Sequence, residues 1–220
     1  MTVLETTSAG SSASVGMIEH LLATCAGLGV TNLRVVLNGP ECPIFDGSAR
    51  PYVELIREAG LKSQDIPLLP LRLEHPVGLI RDHAEVIALP ADRPRFTFFG
   101  EFRHRGLPDQ QVTFEPGRDD FAADIAPART FCFWEEVEAL RNENLIQGGS
   151  LDCALVLRDG KPLNGEYRLA NELARHKLLD LMGDLAVLGR PVAAWISARA
   201  SGHALHHEFV QLLMKGLVDG

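Results

Sequence analysis

The sequence predicts a mixed α+β fold built from two related α/β halves. Three observations lead there. Stretches of helical 3.6-residue periodicity alternate with strand-like runs along the whole chain. The period changes between Ser63 and Leu68, which divides the chain into a first domain, 1–67, and a second, 68–220. The order helix, Leu-Gly, strand occurs at Glu19–Val36 and again at His176–Ile196.

In the first half, Ile18, Leu21, Leu22 and Cys25 fall at i, i+3, i+4 and i+7, one buried face of a helix over about 17–28. Ser14 is placed to cap it and Gly29 to end it. Leu33 to Leu37 reads as a strand, and Asn38-Gly39-Pro40 and Asp46-Gly47-Ser48 as turns. A helix from about Ala49 to Ala59 carries Tyr52, Val53, Leu55 and Ile56. From Leu68 onward, Leu69–Leu73, Val77–Leu89 and Arg95–Phe102 read as consecutive strands joined by Pro-rich turns. Helices near Asp119–Ile125 and Trp134–Arg141 follow, then a strand Cys153–Leu157 and a turn at Asp159–Pro162. A long helix of about 171–188, a strand Val192–Ile196 and a helix after Gly202 close the chain.

The net charge of −8 over 220 residues argues against general binding of nucleic acid or an anionic membrane, while leaving room for a small anionic substrate at a local basic cluster. Met1 to Gly16 has neither the basic nor the apolar region of a secretory signal, and no apolar run approaches the ~18 residues of a membrane helix. Cys25, Cys42, Cys132 and Cys153 form no Cys-x-x-Cys pair and sit among apolar residues, so they read as buried, reduced thiols. A cytoplasmic setting is the expectation.

The helix over 171–188 carries the chemistry. Leu173, Leu178, Leu181, Met182, Leu185 and Leu188 supply a core stripe, and His176, Asp180 and Asp184 form a separate polar ridge at i, i+4 and i+8. A solvated face is the ordinary explanation of such a ridge. This helix is so apolar elsewhere that it must pack on several sides, and buried ionisable groups then need partners, which a metal supplies. His176 and Asp180 lie one turn apart and can grip one ion, with His20 as a third ligand. Two His, one Asp and an open position is a catalytic zinc pattern, and the three side chains are expected to converge on one ion. Glu19 then lies beside the open position as a general base, and His203, at the start of the last helix, becomes a candidate acid oriented by Asp184. His206 and His207 are expected at the surface, and His75, His83 and His104 in structural or solvated roles.

Together these stretches resemble the zinc-dependent UDP-3-O-acyl-N-acetylglucosamine deacetylase family. The resemblance rests on Ile18-Glu19-His20-Leu21-Leu22-Ala23; Gly39-Pro40-Glu41-Cys42-Pro43-Ile44-Phe45-Asp46-Gly47-Ser48-Ala49; Ala128-Arg129-Thr130-Phe131; Gly148-Gly149-Ser150-Leu151-Asp152; Arg175-His176-Lys177-Leu178-Leu179-Asp180 with Gly183-Asp184; and Ser201-Gly202-His203-Ala204-Leu205. They stand in family order across almost the whole chain. The resemblance implies two similar domains, each a sheet layered with helices, with the site between them. It implies Zn2+ on His20, His176 and Asp180, Glu19 as base, His203 as acid or oxyanion-stabilising cation with Asp184 behind it, and Thr130 as an oxyanion donor. Phe131 would pack near the acyl and acetyl groups, Lys177 would meet the nucleotide phosphates, and an insert at about 134–164 would form an apolar passage for the acyl chain. The implied reaction releases acetate from UDP-3-O-acyl-N-acetylglucosamine, the committed step of lipid A synthesis in Gram-negative bacteria. The stretch ahead of Glu19 is shorter than the family pattern, so the first domain is expected to lack its N-terminal strands and to be completed by an upstream segment or a partner chain. Met17, Cys132 and His206 stand where Thr, another residue and Asn are usual; none removes a chemical group from the site. The alternative readings are a shortened, non-catalytic paralogue that binds zinc in a regulatory or interaction role, and a deacetylase of another N-acetyl sugar.

Overall fold

A computed structural model of the chain describes residues 1–8, 11–137 and 153–218. The fold mixes helices and sheets. A hairpin of β1 (Leu4–Ser8) and β2 (Ser11–Val15) leads into helix α1 (Glu19–Leu28) and then α2 (Arg50–Ala59). A mixed sheet follows, from β3 (Leu71–Arg72), β4 (Val77–Arg81), β5 (Ala84–Pro90), β6 (Arg95–Gly100) and β7 (Gln110–Phe114), with β11 (Val192–Arg199) at its centre. Its order is β4-β5-β11-β6-β7; β11 is antiparallel to β5, parallel to β6, and begins parallel to β3. The short helix α3 (Phe121–Asp124) is capped by the Asp120 carboxylate, which accepts from the backbone of Ala122 and Ala123. A second sheet joins β8 (Phe131–Phe133), β9 (Leu155–Arg158) and β10 (Lys161–Pro162) in the order β10-β9-β8. Helices α4 (Glu172–Ala186) and α5 (His203–Val218) flank β11 in sequence.

Helix α4 is the hub. It packs on α1, on β6 and β7, and on α5. Its apolar residues, including Leu178, Leu181 and Met182, join Phe98, Phe114, Ile196 and Phe209 in one core that also takes in Ala23 of α1, Val53 of α2 and Ala49 just ahead of α2. A helix covered on several sides needs apolar residues all round, which is why α4 shows no single stripe. At Gly183 α4 meets the backbone of α1 with no space to spare: an added Cβ would lie 2.1 Å from the Glu19 carbonyl oxygen.

Several elements differ from the sequence reading. Ser14 lies in β2 and caps nothing; α1 follows Ile18, which offers no capping side chain, while Gly29 ends the helix in the left-handed region at φ 70° as expected. Leu33–Leu37 joins no ladder among the described residues, and Val36 is 80% exposed. Apolar β-formers specify a strand only where a neighbour and a covered face await them. The internal echo is therefore incomplete, since its first strand is absent. Val77–Leu89 breaks into a hairpin at Asp82-His83, with Asp82 at φ 52°. Residues 134–137 are helical, and the rest of the helix expected to Arg141 lies outside the described residues, as does the Gly148–Asp152 motif. None of the four cysteines is in a disulfide; Cys42 is buried, but Cys25, Cys132 and Cys153 are only half-buried.

Candidate metal centre

The tight turn before α1, with Met17 at φ 58°, delivers Glu19 and His20 to the helix start, facing α4. Both are buried, as are His176, Asp180 and Asp184 on α4. The ridge is thus not a solvated face. Asp180 Oδ1 lies 3.4 Å from His176 Nε2 and 3.9 Å from His20 Nε2. The two imidazoles stand nearly perpendicular at 5.1 Å, and one ligand atom from each of the three residues falls within 4.8 Å of the others.

The surroundings fit a metal. His176 Nδ1 lies 3.1 Å from the Ala128 carbonyl and donates to it, which turns the Nε2 lone pair toward Asp180. Burial lowers the His176 pKa to about 4, against the attraction of Asp180, and burial likewise lowers that of His20. Both rings are therefore neutral at pH 7, the form that ligates. Burial alone would raise the Asp180 carboxyl; Lys177, His176, His203 and His20 outweigh it and hold it far below the usual carboxylate range. Lys177 Nζ sits 2.8 Å from Asp180 Oδ2, so Oδ1 is the oxygen left toward the two histidines. Two neutral imidazoles and a carboxylate form the donor set of a borderline ion such as Zn2+.

Behind the cluster, Arg129 and Glu172 form a buried pair at 2.8 Å, and Glu172 also accepts from the Arg129 and Arg168 backbone N–H groups. The pair ties the Ala128–Thr130 loop to the first turn of α4. Thr130 N–H donates to Gly47 O at 2.6 Å, and Phe131 brings its ring to 6.3 Å from that of His176. Gly47 is at φ 80°, and a Cβ there would stand 2.3 Å from Cys153 O, so the Asp46-Gly47-Ser48 turn requires glycine.

On the open side stand Glu19 and His203. Glu19 Oε1 and Asp180 Oδ2 each lie 3.9 Å from His203 Nε2. His203 Nδ1 donates to Asp184 Oδ2 at 2.8 Å. Burial would lower the His203 pKa, but the bond it donates to Asp184 and the charges of Asp180 and Asp184 outweigh it and raise it. Burial would raise Asp184; hydrogen bonds from His203 and His206 bring it down to about 2.

The structure brings together Glu19, His20, His176, Asp180, Asp184 and His203, with Lys177 and Phe131 in contact with them and Thr130 on the adjoining loop. Two residues were missed. His206, expected at the surface, is fully buried, with Nδ1 2.7 Å from Asp184 Oδ2. Its spacing three residues after His203 was the available signal. Thr2 is also buried: its backbone N–H donates to Glu19 Oε2 at 3.0 Å and its hydroxyl bonds Asp184 Oδ1. Nothing in its sequence context marks it. His207 is partly exposed, 2.9 Å from the Thr2 hydroxyl, and His75, His83 and His104 are exposed as expected.

Three buried ligand groups, a carboxylate at their open side and a His–Asp pair beside it are the side-chain set of a metal-dependent hydrolase. The sequence profile of the LpxC family, UDP-3-O-acyl N-acetylglycosamine deacetylase, matches residues 1–215. The chain is 42% identical over 213 residues to the UDP-3-O-acyl-N-acetylglucosamine deacetylase of Thermosynechococcus vestitus, covering 96% of this chain and 74% of that protein. It is 40% identical over 214 residues to the protein of that name from Myxococcus xanthus, covering 97% and 68%, and 42% identical over 215 residues to that of an Anaeromyxobacter strain, covering 97% and 70%. The chain belongs to this family of deacetylases. No helix among the described residues is long and apolar enough to cross a membrane.

Proposed function

We propose that this chain is a zinc-dependent amidohydrolase that removes the N-acetyl group of UDP-3-O-acyl-N-acetylglucosamine, releasing acetate, in lipid A biosynthesis. The observation that carries the reading is the buried convergence of His20, His176 and Asp180, with Glu19 and His203 on one side of it. His20, His176 and Asp180 would hold the zinc. When bound there, zinc supplies Lewis-acid polarisation of the amide carbonyl and lowers the pKa of the attacking water. Glu19 takes the proton from that water. The tetrahedral oxyanion is stabilised by Thr130 and by protonated His203, whose raised pKa keeps the proton available. The departing amine receives its proton from His203 or Glu19, and Asp184 holds His203 in the donating orientation.

Phe131 packs near the acyl and acetyl groups. Lys177, at the edge of a cavity of about 240 Å³ that His83, Arg105, Phe131 and Ser201 also line, reaches the phosphates of the nucleotide. The resemblance assigns the acyl passage to an insert at about 134–164, of which residues 138–152 lie outside the described residues. The chain works in the cytoplasm as two similar α/β domains, 1–67 and 68–220, the first lacking its N-terminal strands, with the site between them.

The test compares Glu19→Ala with Asp180→Ala, assaying metal content and acetate release from the UDP-linked 3-O-acyl substrate. Glu19→Ala should keep its zinc and lose ~10²-fold or more in turnover, the scale of a lost general base. Asp180→Ala should lose zinc. Equal loss of metal from both would make Glu19 a ligand and overturn the roles. A zinc-loaded wild-type protein that releases acetate only from a different N-acetyl sugar would overturn the substrate.

A further inference from the structure

We infer that His206 is a positioning residue for His203, acting through the Asp184 carboxylate. This rests on the reading of His203 as the proton-carrying group of the deacetylase. His203 and His206 are one turn apart on α5 and present the same face to α4. Their Nδ1 atoms converge on one oxygen, Asp184 Oδ2, at 2.8 and 2.7 Å. Those separations are hydrogen bonds, so each ring brings an N–H to that oxygen.

The hydrogen of His206 is fixed by Asp184, because an ionised carboxylate only accepts and Nδ1 must donate to it. In a neutral ring Nε2 is then the acceptor. It lies 2.8 Å from the Ser201 hydroxyl, buried with it, which takes the donor role. Burial also lowers the His206 pKa, which keeps the ring in that neutral form. The polarity of the chain is therefore set from end to end: Ser201 O–H to His206, His206 N–H to Asp184, and Asp184 as the acceptor for His203.

What this does for the site follows from burial. Asp184 is fully buried and His203 is not; the His203 side chain is 21% exposed and has room to turn. With one oxygen held by His206 and the other by the Thr2 hydroxyl, the carboxylate cannot rotate about its terminal torsion. His203 then meets an acceptor at a fixed point, and its Nε2 stays 3.9 Å from both Glu19 and Asp180. His206 itself is 0% exposed and touches no substrate, so its effect reaches the reaction only through this chain.

The experiment uses zinc-loaded protein carrying His206→Asn or His206→Leu. Asparagine places an amide N–H near the position of Nδ1; leucine keeps comparable bulk and donates nothing. The expected result is a fall in kcat of about 10- to 100-fold for His206→Leu, the range seen for groups that orient a functional side chain, with KM and zinc content unchanged. His206→Asn should recover most of that loss. Wild-type kcat in His206→Leu, or equal losses in both variants, would overturn the inference. A second readout does not depend on turnover. Side-chain 15N and 1H spectra of the wild type should show His206 neutral and protonated at Nδ1, and the His203 Nδ1–H resonance should move in His206→Leu but not in His206→Asn. If His206→Leu does not fold, the His206 tautomer decides: protonation at Nε2 overturns the inference, and protonation at Nδ1 with an unmoved His203 signal in His206→Asn supports it. A wild type without deacetylase activity would overturn the functional reading alone, and the spectra would still decide the positioning role.

Discussion

Replacing Gly183 by alanine tests whether the packing of α1 on α4 sets the metal geometry. The new Cβ would lie 2.1 Å from the Glu19 carbonyl oxygen, 2.7 Å from its carbonyl carbon and 2.9 Å from its Cα, whereas ordinary contact begins at 3.4 Å. All three atoms are backbone, so no side chain can turn away, and the helices must separate by more than roughly 1 Å. Alanine favours a helix over glycine by roughly 1 kcal/mol, and overpacking of this kind costs about 1–3 kcal/mol or more. The net loss is about 0–2 kcal/mol, which for a chain of this size lowers Tm by up to roughly 8 °C. The effect on the site is larger than the effect on stability. Glu19 and His20 ride on α1 while His176 and Asp180 ride on α4, and ligand distances tolerate only about 0.2 Å. Zinc content after gel filtration should therefore fall well below that of the wild type, with turnover of the remaining holoenzyme reduced by about 10²-fold. Full zinc content together with an unchanged or raised Tm would refute the reasoning.

Two further predictions follow from buried charge. Glu172→Gln removes the carboxylate from a pair whose partner, Arg129, is itself buried, and should cost about 3–5 kcal/mol of stability, read by denaturant unfolding; a loss below about 1 kcal/mol would show the pair to be solvated. The metal-free protein should melt at lower temperature as pH falls from about 6.5 toward 4. Over that window the unfolded chain takes up a proton at each histidine, while burial keeps folded His176 neutral down to about 4 and also lowers His20 and His206. His203 opposes this, because its raised pKa contributes stability that is fully present below 6.5 and lost as pH rises through the folded value. Three lowered histidines against one raised give the sign. Calorimetry between pH 7.5 and 4.5 should show the fall and a shallower slope in His176→Gln; a Tm that rises with acid would contradict it.

Most helices were legible because their evidence is local. The four apolar positions of α1, Gly29 at its end and the apolar wrap of α4 each act within a turn or two of chain. Strands were legible only where their neighbours were. Val77–Leu89 carries apolar residues throughout, so the two-residue turn at Asp82-His83 left no break in hydrophobicity. Leu33–Leu37 has the composition of a strand and lacks a described neighbour; Leu33 and Val35 instead line an apolar cavity of about 450 Å³ with Leu21, Cys25, Met182 and Ile196. Whether such a run pairs depends on residues far away in sequence.

The site was legible to the extent that its chemistry repeats at helical spacing. His176, Asp180 and Asp184 announce one face of α4, and the apolar remainder of the helix says that this face is covered. The pairing of that face with Glu19-His20 is a tertiary fact that no spacing along the chain specifies; it was reached by matching donor types to a zinc pattern, and the resemblance agreed with it. His206 shows the limit. Beside His207, on a helix near the chain's end, two histidines read as solvated, and α5 hides one of them completely. What decides its role is not its own environment in sequence but Asp184, fully buried on another helix, whose charge needs more donors than His203 can provide. Identifying a buried carboxylate and then counting the donors that reach it leads to His206 and Thr2 directly, and this is a count that one sequence cannot supply.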